Sequence, residues 1–135
     1  MQPKTLLDTD ILSALMRQIS IPSARAKNYL GNHPQLTISL VTRFEILRGL
    51  KVKGAQQQLS AFETFCMSNQ VLPITDDVVV VAADIYADLH SRGQLIPDAD
   101  ILIAATARHH GLLLATNNLR DFGRVSGLQI DNWLI

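Results

Sequence analysis

Short apolar runs alternate with longer stretches in which apolar positions recur every three to four residues, and this alternation continues along the whole chain. Residues 5–7 read as a strand that runs straight into Asp8, and a short helix is expected over 11–16. A second helix is expected over 23–30, with Ser23 as N-cap and Gly31 just past its end. Residues 36–40 (LTISL) predict a strand, after which Thr42 opens a helix with Phe44, Leu47 and Leu50 on one apolar face. A further helix covers about 55–66, and 71–74 form the next strand. Thr75 or Asp76 caps a helix that runs to about Arg92 and ends at Gly93. Its stripe of Val78, Ala82, Ile85 and Leu89 is core. Pro97 and Asp98 start another helix, 99–110, stopped by Gly111. Residues 112–116 (LLLAT) predict a strand buried on both faces, and 128–130 an edge strand.

Strand and helix alternating in this way predict βαβ units: an α/β fold with a mostly parallel central sheet between layers of helices. In such sheets ligands bind outside the carboxyl ends of the strands. The 135 residues suit one domain, 1–135, and contain no repeat or linker-like tract. A composition of 47% hydrophobic and 18% charged residues is that of a globular chain. No apolar run approaches the ~20 residues of a membrane span, and MQPKTLLDTD lacks the pattern of a signal peptide, so a cytoplasmic protein is expected. Cys66 stands alone in apolar company, which excludes an internal disulfide and predicts a small core side chain.

The chemistry is acidic. Asp8 follows the first strand directly, either projecting into the crevice or capping the next helix, a task for which Asp10 is an equal candidate. Glu45 follows the second strand, yet Thr42-x-x-Glu45 also reads as a capping box. Asp98 is the natural N-cap of its helix. Asp100, at the second helical position, either favours the helix dipole or needs a cation beside the apolar run that follows. Asn117, Asn118 and Asp121 follow the LLLAT strand, as a turn and cap or as oxygen donors around a hydrated ion. Carboxylates gathered at one end of a sheet repel one another unless a cation sits among them. Oxygen donors without Cys or His spacing select Mg²⁺ or Mn²⁺. His33, His90, His109 and His110 have no zinc-ligand spacing. Twelve basic and twelve acidic residues cancel, so nucleic acid would have to be met by local clusters. Arg43, Arg48, Lys51 and Lys53 form one candidate, Arg120 with Arg124 another, and taken alone each reads better as a solvated face.

Four blocks carry a resemblance: LLDTDIL, VTRFEILRG, IPDADILIAATARHHG and LLLATNNLRDF. In order and separation they resemble those of bacterial PIN-domain toxins of the VapC type, over essentially the whole chain. The resemblance implies a PIN-like fold and a metal-dependent endoribonuclease whose catalytic acids are Asp8, Glu45, Asp100 and Asp121, the fourth lying either there or at the Asn118 position. It implies Asp8 and Asp100 as ligands of Mg²⁺ or Mn²⁺, with Thr9, Thr116, Asn117 and Asn118 around them. It further implies an RNA substrate that includes tRNA in some relatives, a small cognate antitoxin and a homodimer.

Two other families are weighed on the residues. Asp8-Thr9-Asp10 has the DxD spacing of haloacid-dehalogenase-like phosphatases, and an acid after the first strand also suits a receiver domain. Both need a later lysine, and the last lysine here is Lys53. An α/β binding module without catalysis is left to an activity test.

Overall fold

A computed structural model describes residues 2–135; Met1, the start of the N-terminal stretch read above, lies outside them. The strands are β1 (Thr5–Leu7), β2 (Thr37–Ser39), β3 (Gln70–Leu72), β4 (Leu113–Ala115) and β5 (Ile130–Asp131). The helices are α1 (Thr9–Met16), α2 (Ser20–Leu30), α3 (Leu40–Lys53), α4 (Gln56–Ser68), α5 (Asp76–Ser91), α6 (Asp98–His109) and α7 (Leu119–Phe122). The sheet order is β3-β2-β1-β4-β5 and all four pairings are parallel, so the expected α/β sheet is parallel throughout. The final strand pairs over Ile130–Asp131, slightly later than expected.

Successive strand side chains point to opposite faces. Leu6 and Leu114 join Val78, Ile85, Leu89 and Ile103 in one core, under α5 and α6. Leu7, Ile38 and Ala115 join Ile11, Tyr29, Ile46 and Phe62 in the other, under α1 to α4. The central strands are buried on both faces, which is why they read as apolar runs without alternation. The α5 stripe is buried as predicted, and Thr75 caps its helix by accepting from the Val78 N–H at 3.3 Å. Gly93 and Gly111 both adopt φ near +65°, the left-handed turn that stops a helix without Cβ strain.

Several local expectations are corrected. Helix α1 begins at Thr9, with Asp8 as its cap. Helix α2 begins at Ser20, so Ser23 is not its cap. Pro22 fits within the first turn, where its missing N–H has no partner to lose, and Gly31 closes the helix with φ −69°. Helix α3 begins at Leu40: Ser39 caps it, its hydroxyl accepting from the Thr42 N–H at 3.1 Å. The buried face is therefore Val41, Thr42, Ile46 and Leu50, with Leu47 partly covered, while Phe44 is 59% exposed. Helix α6 begins at Asp98 after Pro97, with no side-chain cap, so Asp98 is not the cap and Asp100 is the third helical residue. Cys66 is half-buried at the edge of the second core.

Candidate active site

Strand order reverses between β1 and β4: β2 and β3 extend from one side of β1, and β5 lies beyond β4. Parallel sheets open a crevice at that switch point, beyond the carboxyl ends. Asp8 sits in it as the first residue after β1. Its N–H donates to the Ala115 carbonyl at 2.9 Å, which ties it to the end of β4. One carboxylate oxygen accepts from the Thr9 N–H at 2.8 Å, and the other from the Thr116 hydroxyl at 2.8 Å. The side chain is 5% exposed. Burial first, and then the nearby charge of Asp10, push its carboxyl up to about 7, against the two hydrogen bonds.

Of the two candidates for the α1 cap, Asp8 takes the position and Asp10 does not. Because α1 starts immediately after Asp8, residue 10 falls in the first turn and faces back toward the crevice. Its Oδ2 accepts from the Asn117 N–H at 2.9 Å, and its buried Oδ1 has no partner. Burial raises its pKa as well. The DTD spacing was the available signal, but its value depended on where the helix began.

Glu45 comes from α3. With Ser39 as cap, it lies well beyond the first turn and cannot serve a capping box with Thr42, so that alternative falls. Its Oε1 instead accepts from the Thr9 hydroxyl at 2.6 Å, and Oε2 lies 3.6 Å from Arg48. The Thr9 hydroxyl also lies 3.0 Å from that of Thr42, so Thr9 links the ends of β1 and β2. Asp100, in the first turn of α6, is raised to about 6 by burial and then by the charges of Glu45, Asp121 and Asp10. Asn118 caps α7, its Oδ1 accepting from the Asp121 N–H at 3.4 Å and its Nδ2 donating to Asp121 Oδ2 at 3.2 Å. Asn118 thus orients Asp121, and it is Asp121 whose charge Asp100 feels.

Asp8, Asp10, Glu45, Asp100 and Asp121 are therefore electrostatic neighbours around one crevice. Among the described residues only Glu45 of these five has a cation within 4 Å. A buried carboxylate oxygen without a partner and two carboxyls held near neutrality fit a site shaped for a cation. No three His, Cys, Asp or Glu side chains among the described residues are gathered closely enough to enclose an ion. Mg²⁺ keeps several waters and takes one or two carboxylates together with substrate oxygens, so it does not require a closed set of three. Of the basic clusters only Arg48 reaches these acids, beside Glu45; Arg43 pairs with Glu63 at 2.6 Å, and Arg124 spans to the Leu95 carbonyl. His90, His109 and His110 are exposed, and His33 stacks on Tyr29.

A model of the PIN domain matches residues 5–128. The chain belongs to the PIN-domain family. Ribonuclease VapC2 of Haemophilus influenzae is 31% identical to this PIN domain over 97% of the chain and 98% of its own length. The tRNA(fMet)-specific endonuclease VapC of Shigella flexneri is 30% identical over 96% of the chain and 98% of its own length. Among solved structures, DNA-bound VapBC of Salmonella typhimurium superposes with a TM-score of 0.86 at 28% identity, covering 98% of this chain and 99% of that one. The four-block resemblance is thus borne out in sequence and in fold.

Proposed function

We propose that this chain, a single PIN domain over residues 1–135, is the endoribonuclease toxin of a toxin–antitoxin pair, with Mg²⁺ or Mn²⁺ held at Asp8 and Asp100. One observation carries the reading: carboxyls of separate elements lie in one another's fields around a single crevice, buried Asp8 is pushed to about 7, and one Asp10 oxygen is left without a partner. When bound, the cation lowers the pKa of an attacking water and neutralises the scissile phosphate. The chain's own residues prepare the site. Thr9 and Thr116 fix the rotamer of Asp8, Thr9 holds Glu45 by one oxygen to orient the water, and Asn118 aims Asp121. With no cation present, the acids repel a phosphodiester.

A groove of about 1060 Å³ shares Thr9 and Glu45 with the crevice and continues between α1, α2, α3 and α4 along Leu12, Leu15, Leu30 and Phe62. It suits the apolar segment of an antitoxin, in keeping with solved relatives that are VapBC complexes. A tRNA substrate is the reading supported by the name of the Shigella relative. A homodimer and a cytoplasmic location belong to the same reading. No helix among the described residues is long and apolar enough to cross a membrane.

The test is incubation of the purified protein with total RNA and Mg²⁺ or Mn²⁺, with and without EDTA, followed by mapping of the new ends. Cleavage should require the metal and disappear in Asp100→Asn. An Asp100→Asn protein that cuts at the wild-type rate would overturn the assignment. Expression alone should arrest growth, and co-expression with the adjacent reading frame should relieve it.

A further inference from the structure

Asn117 follows β4 in an exposed turn above the acids. Its backbone N–H nevertheless occupies Asp10 Oδ2 at 2.9 Å, the contact that leaves Oδ1 as the carboxylate's one free oxygen. What steadies Asn117 comes from the far end of the chain. Its Oδ1 accepts from Asn132 Nδ2 at 2.9 Å, and Asn132 is buried just beyond β5. Both ends of the Asn132 amide are committed, since its Oδ1 accepts from the Leu134 N–H at 2.9 Å. Its backbone is committed too: the carbonyl accepts from Arg25 Nη1 at 2.8 Å, while Arg25 Nη2 pairs with Asp131. Trp133, buried against Tyr29 with the Arg25 guanidinium 5.9 Å above it, prevents this segment from sliding.

The geometry points to Asn132 as a positioning residue for the acid crevice. It anchors the Asn117 turn, so that the Asn117 N–H stays on Asp10 and the preceding Thr116 hydroxyl stays on Asp8. Asn132 touches neither substrate nor the reacting atoms and acts only through Asn117. The inference rests on the reading above that these acids hold a divalent cation. An exposed turn with two consecutive asparagines has ample conformational freedom, and a single side-chain hydrogen bond from a rigid, buried donor removes much of it. Groups that orient metal ligands from behind set metal affinity in this way.

Three measurements on each protein test it: Mn²⁺ titration of the metal-free protein by electron paramagnetic resonance, RNA cleavage at limiting and saturating Mn²⁺, and thermal melts. In Asn132→Ala, Mn²⁺ binding should weaken roughly tenfold, the lower end of what loss of an outer partner costs. The rate at limiting Mn²⁺ should fall in parallel, with KM for RNA and the melting temperature little changed. Asn132→Asp should restore binding to within about threefold of wild type, because it still accepts from Leu134 and the Asn117 amide can turn to donate to it. Asn117→Ala removes the same bond without touching the β5 segment. It should show the same deficit, and the double variant no more. A folded Asn132→Ala with wild-type Mn²⁺ affinity and rate overturns the positioning role, as does a deficit that Asn132→Asp shares. Wild-type protein that neither binds Mn²⁺ nor cleaves RNA overturns both this role and the reading of the site.

Discussion

Replacing Asp8 by Asn should stabilise the metal-free protein at neutral pH while abolishing RNA cleavage. The folded-state carboxyl is raised from its ordinary 3.8 to about 7. Below pH 4 it is protonated in both folded and unfolded states, and the carboxyl and the amide are nearly equivalent. As pH rises from about 4 to 7 the unfolded chain releases the proton while the folded one retains it, so the wild type loses stability. Above 7 the loss is complete. At ~1.4 kcal/mol per pH unit, the full interval comes to about 4 kcal/mol. Asn keeps the acceptor for the Thr9 N–H, but its Nδ2 faces the Thr116 hydroxyl, which must turn from donor to acceptor. The protonated carboxyl asks the same reversal of Thr116, and the bond that the carboxylate keeps is already contained in the rise to about 7, so nothing further is subtracted. A gain of about 4 kcal/mol corresponds to a melting temperature roughly 16 °C higher for a domain of this size. The assay is thermal melting followed by circular dichroism, with EDTA, at pH about 4 and about 8. The gap between variant and wild type should be near zero at the lower pH and full at the higher. Excess Mg²⁺ should then raise the wild type and leave the variant unmoved, since ligand stabilises only a chain that binds it. An Asp8→Asn protein that melts below wild type at both pH values would refute the reasoning and leave Asp8 as a plain helix cap.

Glu45→Gln should leave the melting temperature unchanged, because the amide oxygen still accepts from Thr9, yet lower kcat at least about 100-fold in a cleavage assay. Ser39→Ala should cost about 1 kcal/mol in chemical denaturation by removing the α3 cap, whereas the same change at a mere strand residue would not. Asp10→Asn should keep the Asn117 contact through its carbonyl oxygen and raise metal-free stability at pH about 8 but not at pH about 4, read by the same melts. Chelation of the wild type should abolish cleavage reversibly, with activity returning on addition of Mn²⁺.

The sequence by itself determined the α/β alternation, the extent of α5 with its buried stripe, the identity of the apolar strands and the four acidic blocks. Each of these is local: a periodicity, a run, or a residue type beside a strand end. It could not decide between capping and chemistry at Asp8, Asp10 and Glu45, because a cap and a site residue look alike until the helix start is known. Local patterning put Thr42 at the start of α3 and left Ser39 inside the strand. The parallel pairing of Ser39 with Leu72 ends the strand there, giving the cap to Ser39 and freeing Glu45 for Thr9. Asp10 and Asn132 lay beyond reach for a different reason. Asp10 meets Asn117 across 107 residues, and Asn132 meets Asn117 only once β4 and β5 pair side by side. Desolvation, which raises Asp8 and Asp100, is likewise a property of the packed crevice and of no residue alone. Local patterning could name the acids, but only the order in which five short strands lie side by side brought them into one another's fields.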